Sequence, residues 1–365
     1  MSVLDLELQI VSAKGITAGD FFGLTAALRG QWSSSDAYVV VDIEGNKVAW
    51  TRPIFNTLEP VWNEAFYFRN VQQDAMCKLF LFDKDVDADD PLGEAQFRAF
   101  NTDGREAAFE LVITHLGSSA GKILVKIKSH PIYPSQYPVP EQYGPVQYSA
   151  HSSVATGLLT LSLSNDAKLE SVAYRVQLHN VPLFLQTENE WNKDYPAIQR
   201  IFSPDYPESP VLRRAVMMQH VMAYKHIPTT VYGSMASAAD FFRLVHDGRR
   251  QDKPVIFTYV ITKKGWYFSE TGAAFFKDML SKHMLHSGAN FSVLYAGEFY
   301  IEMALFGQTK LVIDNNSGTY APPKEQLPQL KALFENNFPG ISVEALDRDD
   351  PELMKTRQEI LDAWK

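Results

Sequence analysis

The sequence predicts an antiparallel β-sandwich followed by a mixed α/β domain, and three observations carry that reading. The first ~130 residues alternate apolar and polar positions between turn residues, a Pro/Tyr-rich stretch interrupts the pattern, and helical spacing appears only after it. At 365 residues the chain exceeds one ordinary domain, so two are expected.

Leu4-Asp5-Leu6-Glu7-Leu8-Gln9-Ile10 has the period of a half-buried strand. Ala37-Tyr38-Val39-Val40-Val41 is apolar and rich in β-branched residues, Phe66-Tyr67-Phe68 is aromatic, and Lys122-Ile123-Leu124-Val125-Lys126-Ile127 resumes the alternation. Together these place a sandwich over 1–130. Residues 131–156 carry Pro131, Pro134, Pro138, Pro140 and Pro145 among Tyr133, Tyr137, Tyr143 and Tyr148. Proline stiffens such a segment and blocks a helix or central strand, which predicts a semi-rigid linker. Its tyrosines either pack on a neighbouring domain or present a recognition segment to a protein partner.

An α/β domain is expected over 157–365. Strands are predicted at 157–163, 255–260, 291–303 and 310–314, and helices at 211–225, 271–285 and 324–337. Phe275, Phe276, Met279, Leu280 and Met284 mark the second helix, while Leu327, Leu330, Leu333 and Phe334 share one side of the third.

Composition narrows the function. A 45% hydrophobic content with 21% charged residues describes a chain with ample core material. No run approaches the roughly 18 apolar residues of a membrane span. The start, MSVLDLELQIV, has neither a basic region nor a cleavage site, and Cys77 is the single cysteine. A cytoplasmic protein without an internal disulfide framework is therefore expected. Residues 1–130 hold 12 Lys+Arg against 18 Asp+Glu, a balance of −6, and the remainder holds 22 against 25, or −3. Such acidity argues against nucleic-acid binding, which depends on neutralising phosphates.

Much of the excess sits in Asp83-Lys84-Asp85-Val86-Asp87-Ala88-Asp89-Asp90. These acids fit EF-hand spacing with Glu94 at position 12, but Ala88 stands where the sharp turn requires glycine and Pro91 falls inside the loop. Because the preceding segment also reads as a strand, an EF-hand is excluded.

Three other segments point elsewhere. Asn56-Thr57-Leu58-Glu59-Pro60-Val61-Trp62-Asn63-Glu64-Ala65-Phe66 resembles the T-L-N-P-x-W-N-E-x-F signature of C2 domains. Ser35-Asp36-Ala37-Tyr38-Val39 resembles their S-D-P-Y-V strand start, and Phe82-Asp83-Lys84-Asp85 with Asp90-Pro91-Leu92-Gly93-Glu94 resembles their D-x-D…D-x-x-G-E loop. The resemblance implies an eight-stranded antiparallel sandwich whose loops bind Ca²⁺ and dock on anionic phospholipid. It implies metal ligands at Asp36, Asp83, Asp85 and Asp90, with Asp89 as a substitute for the last. Asp20-Phe21-Phe22-Gly23-Leu24 resembles the D-x-x-G-L run and places a further ligand at Asp20, with an insertion over 25–34. Asp87 is the least certain of the acids.

Clustered flexible carboxylates suit Ca²⁺, which takes six to eight oxygens. Phe21, Phe22, Leu24 and Trp32 lie beside this site and are candidates for membrane insertion. Equally, they pack under the insertion or on the second domain.

In the second domain, Leu311–Pro322 reads as a buried strand ending in a polar turn. With Ser281-Lys282-His283 and Tyr295-Ala296-Gly297-Glu298-Phe299 it resembles an uncharacterised domain found beside eukaryotic modules and in bacterial toxin-associated proteins. His283 as a general base, Glu298 or Asp314 as its orienting partner, and Ser317 in an anion-facing turn form a candidate catalytic set. The alternative is an ordinary capped turn and a core histidine. Three functions follow: a calcium-dependent membrane module carrying the α/β domain, an enzyme localised by that module, or a calcium-independent protein-interaction sandwich.

Overall fold

A computed structural model describes residues 2–17, 35–85, 89–133, 139–152, 172–271, 282–303 and 309–364. Asp20, Phe21, Phe22, Leu24, Trp32, Asp87, the expected strand at 157–163 and most of the expected helix at 271–285 lie outside the described residues. The chain divides into two compact units, Met1–Gly144 and Pro145–Lys365.

The first unit contains β1 (Val3–Lys14), β2 (Ala37–Ile43), β3 (Asn46–Trp50), β4 (Val61–Gln72), β5 (Met76–Asp83), β6 (Asp90–Arg98), β7 (Ala107–His115), β8 (Ser118–Ile132) and β9 (Glu141–Tyr143). Their order is β3-β2-β5-β6-β7-β8-β1-β4-β9 with every pairing antiparallel. β6 and β7 meet at the pairing Glu94↔Thr114, the seam where the sheet folds into two layers. Alternate positions of β1 (Leu4, Leu6, Leu8, Ile10) and β5 (Cys77, Leu79, Leu81) point into one core, where Trp62 and Phe66 join them. Trp62 is wholly buried, and its Nε1 donates to the Ala37 carbonyl at 3.1 Å, tying the β4 layer to the β2 layer.

The stretch expected as a linker is divided between the units. β8 continues through Pro131 to Ile132, and β9 pairs with β4 through Tyr67↔Tyr143. Tyr143 donates to Asp5 Oδ1 at 2.5 Å, and the Arg69 guanidinium stacks 4.3 Å from its ring centroid. β10 (Val146–Ser152) belongs to the second unit. Proline at the ends of strands, where no ladder donor is needed, did not block them.

The second unit adds β11 (Val172–Val176), α1 (Val181–Phe184), β12 (Asn189–Glu190), α2 (Pro196–Phe202), α3 (Ser209–Ala223), β13 (Val231–Met235), α4 (Ala238–Leu244), β14 (Arg249–Arg250) and β15 (Lys253–Pro254). There follow β16 (Phe257–Thr262), β17 (Gly265–Glu270), α5 (Lys282–Ser287), β18 (Ser292–Val293), β19 (Tyr295–Met303), β20 (Thr309–Asp314), α6 (Leu327–Asn337), β21 (Ser342–Leu346) and α7 (Pro351–Asp362). Eight strands form one sheet, β13-β10-β11-β17-β16-β19-β20-β21, antiparallel except for β20 with β21. That parallel pair is joined through α6, as a crossover requires.

Helices cover both faces. Phe257, Tyr259 and Ile261 of β16 face the core that holds Phe241 of α4 and Leu330, Leu333 and Phe334 of α6. Val260 faces the opposite side with Ile198, Val216 and Met284, from α2, α3 and α5. Ile256, Tyr300 and Val312 pack there against Leu353 and Ile360 of α7.

Candidate functional site

Antiparallel order puts the β1–β2, β3–β4, β5–β6 and β7–β8 connections at one end of the first unit. Ala37↔Asp83 and Asp83↔Asp90 are directly paired, so three candidate carboxylates stand within two ladder steps. Asp83 is buried, and its carboxylate accepts from Ser35 Oγ at 2.7 Å and from Asp36 N at 2.6 Å. Asp36 in turn accepts from Asn56 N at 2.9 Å, which brings the β3–β4 loop to the same point. Asp89 accepts from Tyr38 Oη at 2.8 Å, from Asp85 N at 3.2 Å and from Lys84 Nζ at 3.0 Å. Asp90 is exposed.

The structure thus brings Asp36, Asp83, Asp85, Asp89 and Asp90 to one end. Ser35, Tyr38, Asn56 and Lys84 organise them, and the sequence reading quoted all four without giving them that role. Among the described residues no three His, Cys, Asp or Glu side chains form a ready metal cage. The donor chemistry still fits a hard cation, since every candidate donor is an oxygen and each carboxylate has about four lone-pair sites. A metal drawing on Asp89 would displace the Lys84 ammonium from it.

A second polar cluster lies on the α5/α7 face of the other sheet. Cross-strand partners share a face, and the pairings run His151↔Ala173, Ala173↔Ser269, Ser269↔Thr258 and Thr258↔Glu298. Asp314 extends the row by accepting from Glu298 N at 2.7 Å, and it also accepts from Asn316 N at 2.8 Å. Glu298 takes Arg357 Nε at 2.6 Å and Asn316 Nδ2 at 2.8 Å on one oxygen. Burial, reinforced by the neighbouring Glu298 charge, pushes the Asp314 carboxyl up to about 8, against the two amide hydrogen bonds.

His283 Nε2–H donates to the Gly297 carbonyl at 2.9 Å, and burial lowers its basicity. His286, also held neutral by burial, bridges Tyr224 Oη (2.7 Å, Nδ1) and Ser269 Oγ (3.1 Å, Nε2). Ser317 is buried in the turn after β20, where its hydroxyl accepts from Tyr320 N at 3.2 Å.

Of the expected catalytic set, His283, Glu298 and Asp314 are therefore gathered around β19, while the Ser317 hydroxyl serves its own turn. Arg357 and Asn316 were not foreseen. Arg357 carried no motif, and its partner lies 59 residues away. Among the described residues the buried side-chain atoms without a partner are Arg175 Nε, Trp191 Nε1 and Trp266 Nε1, none of them in this cluster.

The C2 domain family model matches residues 4–111. Protein C2-DOMAIN ABA-RELATED 11 of Arabidopsis thaliana is 37% identical over 91 residues, 25% of this chain and 48% of that protein. The chain thus spans about half the length of that curated relative. Among solved structures, a C2 domain of plant extended synaptotagmin 1 is 21% identical, covering 36% of this chain and 98% of that one at a TM-score of 0.30. A C2 domain-containing protein from a putative elicitor-responsive gene is 27% identical, covering 38% and 97% at 0.29. The calcium-bound pair of C2 domains of extended synaptotagmin 2 is 18% identical, covering 41% and 56% at 0.30. The first unit contains a C2 domain, in the place the motifs implied.

Proposed function

We propose that the C2 domain binds Ca²⁺ at its aspartate-lined end, docks on anionic phospholipid, and thereby recruits the second unit from the cytoplasm to a membrane. The observation that carries this reading is the Asp36 backbone N–H closing on the Asp83 carboxylate beside Asp85, Asp89 and Asp90. Asp36, Asp83, Asp85 and Asp90, joined by Asp20, would hold the metal, with Asp89 in reserve. Five ionised aspartates with two Ca²⁺ leave about −1, and a third gives about +1. That reversal turns repulsion of an anionic bilayer into attraction of about 1 kcal/mol per favourable charge. Phe21, Phe22, Leu24 and Trp32 belong to the same reading as candidate insertion residues.

Sedimentation with phosphatidylserine vesicles tests it. Binding is expected in Ca²⁺, lost in chelator and lost in Asp85→Asn/Asp90→Asn. These two positions are preferable to Asp83, whose burial makes a substitution there a folding defect as well. Binding that ignores Ca²⁺ would instead favour a calcium-independent interaction module.

A second reading makes the α/β unit an enzyme that this C2 domain localises. It is favoured by one observation: Arg357 pairs with the Glu298 carboxylate while burial holds neighbouring Asp314 protonated, the contrast from which acid and base roles are assigned. His283 is the third member; Ser317, the fourth expected, would have to give up its turn contact with Tyr320 N to join them. A protein partner recruited by the α/β unit is the remaining role for it.

A further inference from the structure

The β7–β8 hairpin tip breaks a rule that the rest of the first unit keeps. His115↔Ser118 are paired, so Leu116-Gly117 is a two-residue turn, with φ of 49° at Leu116 and 80° at Gly117. Positive φ at both positions is the I′ pattern, which favours Asn, Asp or Gly and is sterically poor for a bulky side chain. The other described non-glycine residues of this unit with positive φ are Glu44, Asn56, Asn63, Asn70, Asp74 and Asp103, all polar. The β2–β3 hairpin, at the opposite end, makes a similar turn with Glu44-Gly45. Leu116 is the apolar exception, and it is 93% exposed.

Its position is as informative as its strain. β7 runs antiparallel to β6 from the pairing Glu94↔Thr114, so residues beyond Thr114 climb toward the Asp90 end. The tip therefore stands at the end where Asp36, Asp83 and Asp89 gather. Lys14, at the same end of β1, is directly opposite Lys122 of β8, and Lys84 reaches Asp89 there. A leucine at the tip of the end that also carries Lys14, Lys84 and Lys122 (the last paired with Glu110 at 3.3 Å) and the carboxylate-lined loop matches the layering of an anionic bilayer, with charge at the headgroups and hydrocarbon below.

From this we infer that Leu116 is a lipid-inserting anchor of the C2 domain, on a hairpin separate from the metal-binding loops. The inference rests on the membrane-docking reading above. On the membrane the side chain leaves water, the one setting in which this exposed turn leucine is favourable.

Leu116→Asn provides the test, because asparagine suits the I′ turn and lets folding and binding move in opposite directions. Full-length protein is titrated with phosphatidylcholine/phosphatidylserine vesicles in Ca²⁺, alongside thermal unfolding and Ca²⁺ calorimetry without lipid. Leu116→Asn should bind vesicles about tenfold more weakly or worse, the loss expected for one leucine removed from hydrocarbon, while its Tm stays level or rises and its Ca²⁺ isotherm is unchanged. A dye on Leu116→Cys should shift to the blue on vesicle addition, since Cys77 is buried and leaves the new thiol as the labelling site. Vesicle affinity equal to wild type, or an unshifted dye on protein that does bind, would overturn the anchor and leave the docking reading intact. Failure of the wild type to bind vesicles would overturn both.

Discussion

Arg357 shows how much one side chain of the second unit carries. Its guanidinium meets Glu298 at 2.6 Å (Nε) and 3.3 Å (Nη2), with the carboxylate side chain only 6% exposed. Removing one member of a buried pair leaves the other charge without compensation, at about 3–5 kcal/mol when both are buried. Arg357 is 34% exposed, so water replaces part of the loss, and Arg357→Met should cost about 2–3 kcal/mol in denaturant unfolding. A change below about 0.5 kcal/mol would show that Glu298 does not depend on it. Gly93 is the counterpart in the first unit. Its φ is 138°, and an added Cβ would lie 2.7 Å from the Thr114 carbonyl oxygen. Gly93→Ala should therefore destabilise the C2 domain by about 1–3 kcal/mol, read as a lower Tm. An unchanged Tm would mean the seam shifts without strain.

Among the elements, hairpins and strands were legible where a single pattern governed them. β1, β5 and β8 alternate because one face meets a core and the other meets water, and α6 shows its apolar stripe for the same reason. β9 and β10 were hidden because proline and tyrosine dominate their surroundings. Tyr143 takes its place from Asp5 and Arg69, more than 70 residues away, which local composition does not encode. β19 and β20 announced themselves as buried runs, and Glu298 and Asp314 stood out in them as candidate partners of His283. Their contact with each other, and the pairing of Glu298 with Arg357, came only from the ladder and the tertiary fold.

At the scale of whole units, the stability of the second unit should respond to pH. Burial lowers His151 and His179 to about 4, so the unfolded chain binds more protons than the folded one below its histidine value near 6.5. Their contribution is fully present above 6.5 and is lost as pH falls toward 4, at about 1.4 kcal/mol per pH unit for each proton. Asp314 acts in the opposite sense. Its carboxyl, raised to about 8, keeps a proton that the unfolded chain has released, so stability falls as pH rises to about 8. Within the second unit the two histidines outweigh the one carboxyl below 6.5, and Asp314 dominates between 6.5 and about 8. In the first unit Glu64, raised by burial to about 7, adds a separate fall as pH rises to 7. Maximal stability of the second unit is thus expected near pH 6.5, measurable by calorimetry from about pH 4 to 8 as the transition of that unit. Asp314→Asn should remove the alkaline fall and keep the acid one; a flat profile would contradict both assignments.

By itself the sequence determined the C2 domain, since its signature residues lie in three contiguous segments whose order survives without coordinates. It also singled out Asp83, Asp85, Asp89 and Asp90 as an acidic run on one short loop, and Asp36 through the strand-start motif that it heads. Tertiary structure alone decided the Glu298–Arg357 pair, the polar row from His151 to Asp314 and the end of the sandwich to which Leu116 is raised. Each of those depends on strand register and on contacts between distant residues. In a linear reading Leu116 is one more leucine beside a glycine; only the paired hairpin reveals that it stands in a left-handed conformation, in water, at the end of the sandwich where the carboxylates lie.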